Sequence, residues 1–310
     1  MTHPDSRRGA HRPRRIADMG LGLVATFLVL LLVAGVGMLA YPTVADVWNR
    51  MHQSQVVASY VETIDDLGAQ RRQELLDAAR SYNAQLERSA QDDQMDRWSE
   101  ASTKSEEFEQ AYRSTLDVTG TGIMGYVTIP RLKTRLPIYH GTEDSVLQIA
   151  VGHLPGSSLP VGGEGTHAVV SGHTGLPSAR LLTGLDELRA GDTFAFHVLD
   201  ETYTYEVDQV EVVLPDDFQY LSIDPGGDYA TLITCTPYGI NTHRLLVRGH
   251  RIPNPTTPDT TDYDWPQRLF RSAIAGCATL AAGGTAVAIR RRLRAAASPA
   301  GRHIAAPTAA

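Results

Sequence analysis

Residues 231–249 read TLITCTPYGINTHRLLVRG. Two runs of β-formers, one ending near Thr234 and one starting at Leu245, bracket a loop of Pro, Gly and Asn. That is the pattern of two strands joined by a turn. Cys235 closes the first run and Arg244 opens the second, nine residues later. If the strands pair, a thiol and a guanidinium sit at the same end of one sheet.

The same texture extends outward on both sides. After Gly120, short runs of β-formers alternate with Gly, Pro and Asp, giving candidate strands at 124–129, 136–139, 167–171, 193–199, 202–213, 230–235 and 245–251. In the longest, Tyr203, Tyr205 and Val207 alternate on odd positions, then Val210 and Val212 on even ones. The slip at Asp208–Gln209 predicts a bulge of the kind that lets a sheet curl closed. Helix signals are few, at 145–150 and 179–188. Seven short strands so spaced predict one small β-barrel or sandwich over residues 120–253.

Residues 43–119 have a different period. Val57, Tyr60, Ile64 and Leu67 recur at three and four, as do Leu75, Ala79, Tyr82 and Leu86, with no proline from 43 to 117. The spacing predicts one or two amphipathic helices packed on the neighbouring domain, interrupted at 68–73. Between Ser89 and Glu109 apolar anchors are sparse. A Pro/Thr/Asp stretch within 254–271 reads as a linker.

Residues 19–41 carry no charge, and as a helix they span about 35 Å, enough for a hydrocarbon core of about 30 Å. Residues 272–289 form a second uncharged stretch, followed at once by RRRLR. The tails 1–18 and 290–310 hold ten of the 28 basic residues and two of the 35 acids. Positive charge marks the inner side of a membrane, so both tails are expected in the cytoplasm and residues 43–267 outside. That middle carries an excess of acids, which argues against nucleic acid as a partner. Of the two cysteines, Cys277 falls in the second span, leaving Cys235 the single exported thiol, unable to pair within the chain.

A lone exported thiol is either a buried filler or a nucleophile. A nucleophile needs a base for its proton and a donor for the developing oxyanion. Arg244 could be the donor. For the base, His173 stands at a strand-to-loop position like that of Cys235, in competition with His140, His153, His167, His197, His243 and His250. The histidines lack zinc-site spacing. Spacing alone leaves a Cys/His/Arg site and a structural cysteine both open.

Longer motifs resemble a known family. TLITC with Arg244, SGHTGLP around His173, MGYVTIP (124–130), LPIYHGT (136–142) and GHLPGSSLPVGG (152–163) are similar, in order, to sortases, and most closely to the class C, pilin-polymerising branch. The resemblance implies a mainly β fold: a closed eight-stranded barrel at 120–253 with few short helices, a helical extension before it, and two flanking transmembrane helices. It implies a membrane-bound cysteine transpeptidase of Gram-positive bacteria that cuts an LPxTG-like sorting signal. The acyl group would pass to a pilin lysine or a cell-wall precursor amine, without metal or organic cofactor. Cys235 would be the nucleophile, His173 the proton donor and acceptor, and Arg244 the oxyanion and substrate clamp, with Thr234 lining the groove or packing the strand. Class C members often carry an Asp-Pro-aromatic lid. The helical extension of this chain has no Asp-Pro, and Asp96 and Trp98 in QMDRWSE are the nearest counterpart. A housekeeping sortase, a surface cysteine peptidase and a non-enzymatic scaffold are the alternatives.

Overall fold

Tyr60 shows why the amphipathic segment is helical and where it must lie. Its ring is buried, and its hydroxyl donates to the Met124 carbonyl at 3.1 Å while accepting the Leu199 N–H at 2.8 Å. In this computed structural model, which describes residues 14–92 and 106–297, Tyr60 sits on α1 (Arg14–Asp66). After a break at Leu67–Gly68 comes α2 (Ala69–Asp92), then α3 (Glu106–Ser114). The break falls at the start of the expected interruption. Arg72 satisfies the carbonyl of Ile64 in the last turn of α1 and that of Leu67 just beyond it, and pairs with Asp200 at 2.9 Å. Asn83 on α2 makes a two-way bond with the Leu159 backbone, at 3.1 and 2.7 Å. The extension is thereby held to the barrel by hydrogen bonds as well as by its apolar stripe.

Eight strands close the barrel: β1 (Ile123–Ile129), β2 (Thr134–His140), β3 (Val151–His153), β4 (Thr166–Ser171), β5 (Thr193–Val198), β6 (Glu201–Val213), β7 (Asp228–Thr236) and β8 (His243–Ile252). Their order around it is β1-β2-β3-β4-β7-β8-β6-β5. The β2/β3 and β4/β7 pairs are parallel and the others antiparallel. The register of β6 on β8 slips between Val207 and Gln209, as the change of alternation predicts. Inward residues such as Val127, Phe194, Phe196, Tyr205, Leu232 and Val247 fill the interior.

Two local expectations need correction. β3 is an eighth strand of only three residues, Val-Gly-His, too short to show alternation. The segment 179–188 is not a helix but turns with one 3₁₀ step at Leu185–Glu187. Leu181 and Gly184 there take positive φ (41° and 94°), which an α-helix excludes. The helix-like spacing of Leu181, Leu185 and Leu188 comes from a loop that buries all three in the core. Of the other helix signal, at 145–150, a single turn forms as α4 (Asp144–Leu147).

Among the described residues two helices are long and apolar enough to cross a membrane, and their apolar stretches are unburied. One is α1 and the other is α5 (Trp265–Ala297). α1 continues without a break, through Pro42, from the first apolar stretch into the extension. Gln267 on α5 donates to Ser54 at 2.9 Å and to the Arg50 carbonyl at 3.3 Å, so the two helices leave the barrel side by side.

Candidate active site

β7 and β8 set the first two groups. Cys235 lies directly opposite Arg244 in the antiparallel ladder, as Ile233 does Leu246, so their side chains share a face. That face is the outside of the barrel. There Val169, Val213, Leu221, Ile233 and Leu246 form a small second core, closed by Phe218 and Tyr220 from the β6–β7 connection. The connection starts beside Arg244, at the Val213–Arg244 pair, and ends at the far end of β7, so it runs over the floor as a wall.

β4 supplies the third group. It runs parallel to β7 with Ser171 beside Ile233, which carries the chain two residues on to His173 at the level of Cys235. Gly172 makes this approach possible. A Cβ there would come within 2.8 Å of Val151 and 2.9 Å of Leu182. Its N–H donates to Ile233 O at 3.0 Å, and its carbonyl accepts the Thr234 hydroxyl at 2.8 Å. The loop beyond is fixed by Leu182 N–H to the His173 carbonyl (3.2 Å) and gripped by α1 through Asp46 to Arg180 N–H (2.8 Å) and Asn49 to Ser178 O (2.7 Å).

His173, Thr234, Cys235 and Arg244 line one cavity of about 320 Å³. Cys235 is half-buried, accessible yet backed by the sheet. Arg244 turns Nη1 to the carbonyls of Asn241 (3.3 Å) and His243 (3.1 Å), and its Nε and Nη2 have no partner among the described residues. It can therefore offer a fork to an incoming oxyanion. Thr234 lines the cavity, but its hydroxyl is committed to Gly172, which ties the cysteine strand to the histidine strand.

The competing histidines have other partners. His140 lies between the carbonyls of Gly122 (2.9 Å) and Thr115 (2.8 Å), and His167 between Ser222 O (2.9 Å) and Thr231 Oγ1 (2.8 Å). His153 gives Nε2–H to Ser158 O (2.8 Å), leaving Nδ1 to face Tyr112 Oη at 3.0 Å. Burial pushes His153 down to about 3, so it is neutral. His197 is stacked on Tyr126 and lowered by burial to about 4. His243 contacts Thr242, and His250 faces Asp208 at 4.0 Å. Among the described residues, only His173 shares the cavity with Cys235. Asp96 and Trp98 lie outside the described residues.

Residues 127–252 match the Sortase domain family model. Sortase C1 from Streptococcus agalactiae is 44% identical with a TM-score of 0.59, over 65% of this chain and 100% of that one. This chain belongs to the sortase family. Within it the likeness is to class C. Clostridium perfringens sortase C, solved with the C-terminal cell wall sorting motif, is 38% identical with a TM-score of 0.53, over 65% of this chain and 100% of that one. Sortase D of Bacillus subtilis is 30% identical over 131 residues, 41% of this chain and 63% of that protein. The match thus spans less than two thirds of this curated relative.

Sequence reasoning missed the other groove wall. Thr142, Asp144 and Leu147, on and before α4, border the cavity opposite the β6–β7 connection. α4 is four residues long and carries no motif of its own.

Proposed function

We propose that this chain is a membrane-anchored cysteine transpeptidase that cleaves an LPxTG-like sorting signal between Thr and Gly and joins the Thr carbonyl to an amine. The observation that carries this reading is the meeting on one groove of His173, just after β4, with Cys235 on β7 and Arg244 on β8. The clostridial relative with its sorting motif and the class C likeness support a sorting-signal substrate and a pilin lysine as acceptor. α1 and α5 anchor the barrel outside the cell, with the basic tails inside.

In this reading His173 holds the Cys235 proton, and Sγ attacks the Thr carbonyl carbon. The oxyanion forms against the Arg244 guanidinium, worth about 10²–10³ in rate for a donor of this kind. As the C–N bond to Gly breaks, His173 returns the proton to the leaving amine. The resulting thioester waits for an acceptor amine, whose attack forms the new amide and releases the thiolate.

The test incubates the full chain in detergent with an LPxTG peptide, with and without an added amine, and follows Cys235 by mass spectrometry. An acyl adduct on Cys235 and an amide product are expected, both absent in Cys235→Ala. Hydrolysis with no amide product would move the reading to a peptidase, and no adduct would remove it.

A further inference from the structure

The cavity is electrostatically two-sided. Arg244 stands on β8 at one flank, followed across the sheet by Cys235 on β7 and His173 after β4. Beyond His173, over β3, comes the wall formed by Thr142, Asp144 and Leu147. Close packing fixes that wall. A Cβ on Gly152 would fall 2.1 Å from the Gly141 carbonyl oxygen and 3.3 Å from Leu147. Tyr112 on α3 accepts the Gly141 N–H at 2.9 Å.

Two carboxylates line the cavity, Asp144 and Asp217, and Glu143 adjoins the first. Glu143 pairs with Arg113 of α3. Asp217, in the opposite wall, accepts the Gln219 backbone N–H at 3.2 Å and the Gln219 amide at 3.1 Å. Asp144 borders the cavity and is exposed, and its carboxylate has no hydrogen-bond or ion-pair partner among the described residues. The groove thus sets a cation on one side of the thiol and an uncommitted anion on the other, with the imidazole between the thiol and that anion.

Resting on the transpeptidase reading, we propose that Asp144 is the specificity-determining residue that receives the ammonium of a lysine-type acceptor. Such an amine is protonated at neutral pH and must be drawn in as a cation before it can react. Asp144 holds it beside His173. The ammonium gives one proton to the imidazole, and the free amine attacks the thioester carbon. The C–N bond forms, the C–S bond breaks, Sγ leaves as thiolate, and the second nitrogen proton passes to solvent. Arg244, on the opposite flank, stays with the acyl oxygen.

The experiment uses the full chain in detergent, an LPxTG peptide as donor, and two competing nucleophiles. Nα-acetyl-lysine amide is cationic, and hydroxylamine is mostly uncharged near neutral pH. The quantity read is the ratio of kcat/KM for lysine amide to that for hydroxylamine. Asp144→Asn is expected to lower this ratio about five-fold, the scale of one partly exposed ion pair. Asp144→Glu is expected to restore it, and added salt to lower it in the parent but not in Asp144→Asn. A loss shared equally by both nucleophiles would show a structural role and overturn the proposal, as would an unchanged ratio. Hydroxamate formation by the parent chain tests the transpeptidase reading by itself. Its absence overturns both, whereas its presence with an unchanged ratio overturns only the role of Asp144.

Discussion

Replacing Thr234 with valine tests the link between the cysteine strand and the histidine strand. Thr234 is 4% exposed, and its hydroxyl donates to the Gly172 carbonyl at 2.8 Å. Valine exchanges that hydroxyl for a methyl of nearly equal volume, so packing is retained while the bond is lost. A buried carbonyl losing its donor costs about 1–3 kcal/mol. Gly172 immediately precedes His173, so any relaxation of its peptide moves the imidazole relative to Cys235. A misplacement approaching 1 Å lowers turnover by roughly 10²-fold. We expect Thr234→Val to lower the denaturation midpoint by the equivalent of 1–3 kcal/mol, as estimated above from the lost bond, and kcat by roughly ten- to a hundred-fold. Thr234→Ser keeps the donor and should stay within a few-fold of the parent. Denaturant melts and single-turnover cleavage of an LPxTG peptide read the two effects separately. Parent-like stability and rate in the valine variant would refute the reasoning. So would a serine variant as impaired as the valine one, because the hydroxyl would then not be the operative group.

Three further outcomes follow from other contacts. Tyr112→Phe strips the partner from Gly141 N–H and from His153 Nδ1, so a loss of about 1–3 kcal/mol is expected in a denaturant melt; no loss would mean that these contacts carry no weight. His153 and His197 are held neutral by burial at about 3 and about 4, below the ordinary 6.5, so the unfolded chain binds protons that the fold excludes. Stability should therefore fall as pH drops from about 6.5 towards 4, by up to about 1.4 kcal/mol per unit for each histidine, and His197→Gln should flatten the slope; a melt series with no slope rejects neutral burial. Arg244→Lys keeps the charge but loses the planar fork, and acylation of Cys235 is expected to drop by roughly 10²-fold; a parent-like rate would reduce Arg244 to a generic cation.

Much of the fold was legible because local chemistry and burial agree. The β6 bulge showed in the phase change from Val207 to Val210, and the α1–α2 break in the failing apolar spacing after Leu67. Where burial is set by distant partners, the signal was weak or misleading. β3, between β2 and β4, is only three residues, all buried, and so has no alternation to read. Leu181, Leu185 and Leu188 imitate a helix because one loop buries all three in the core. The site divides in the same way. Cys235 and Arg244 could be paired from a short loop, but seven histidines looked alike until the β4–β7 pairing brought one of them to the thiol. Asp144 was invisible to periodicity, since its place depends on how a ten-residue crossover folds back over β3.

The unbroken course of α1 makes it a measuring rod. With the apolar stretch ending at Tyr41, Asp46 and Asn49 stand five and eight residues further along, or about 7 and 12 Å at helical rise. These are the residues that hold the loop following His173. In the membrane-anchored reading proposed above, this one helix would hold the loop roughly a dozen ångströms beyond the bilayer surface. An extended chain covers that height in about four residues. A substrate still held by the membrane would then have to present its scissile bond within a few residues of its own point of emergence, and lengthening α1 by one turn would raise that requirement by about 5 Å.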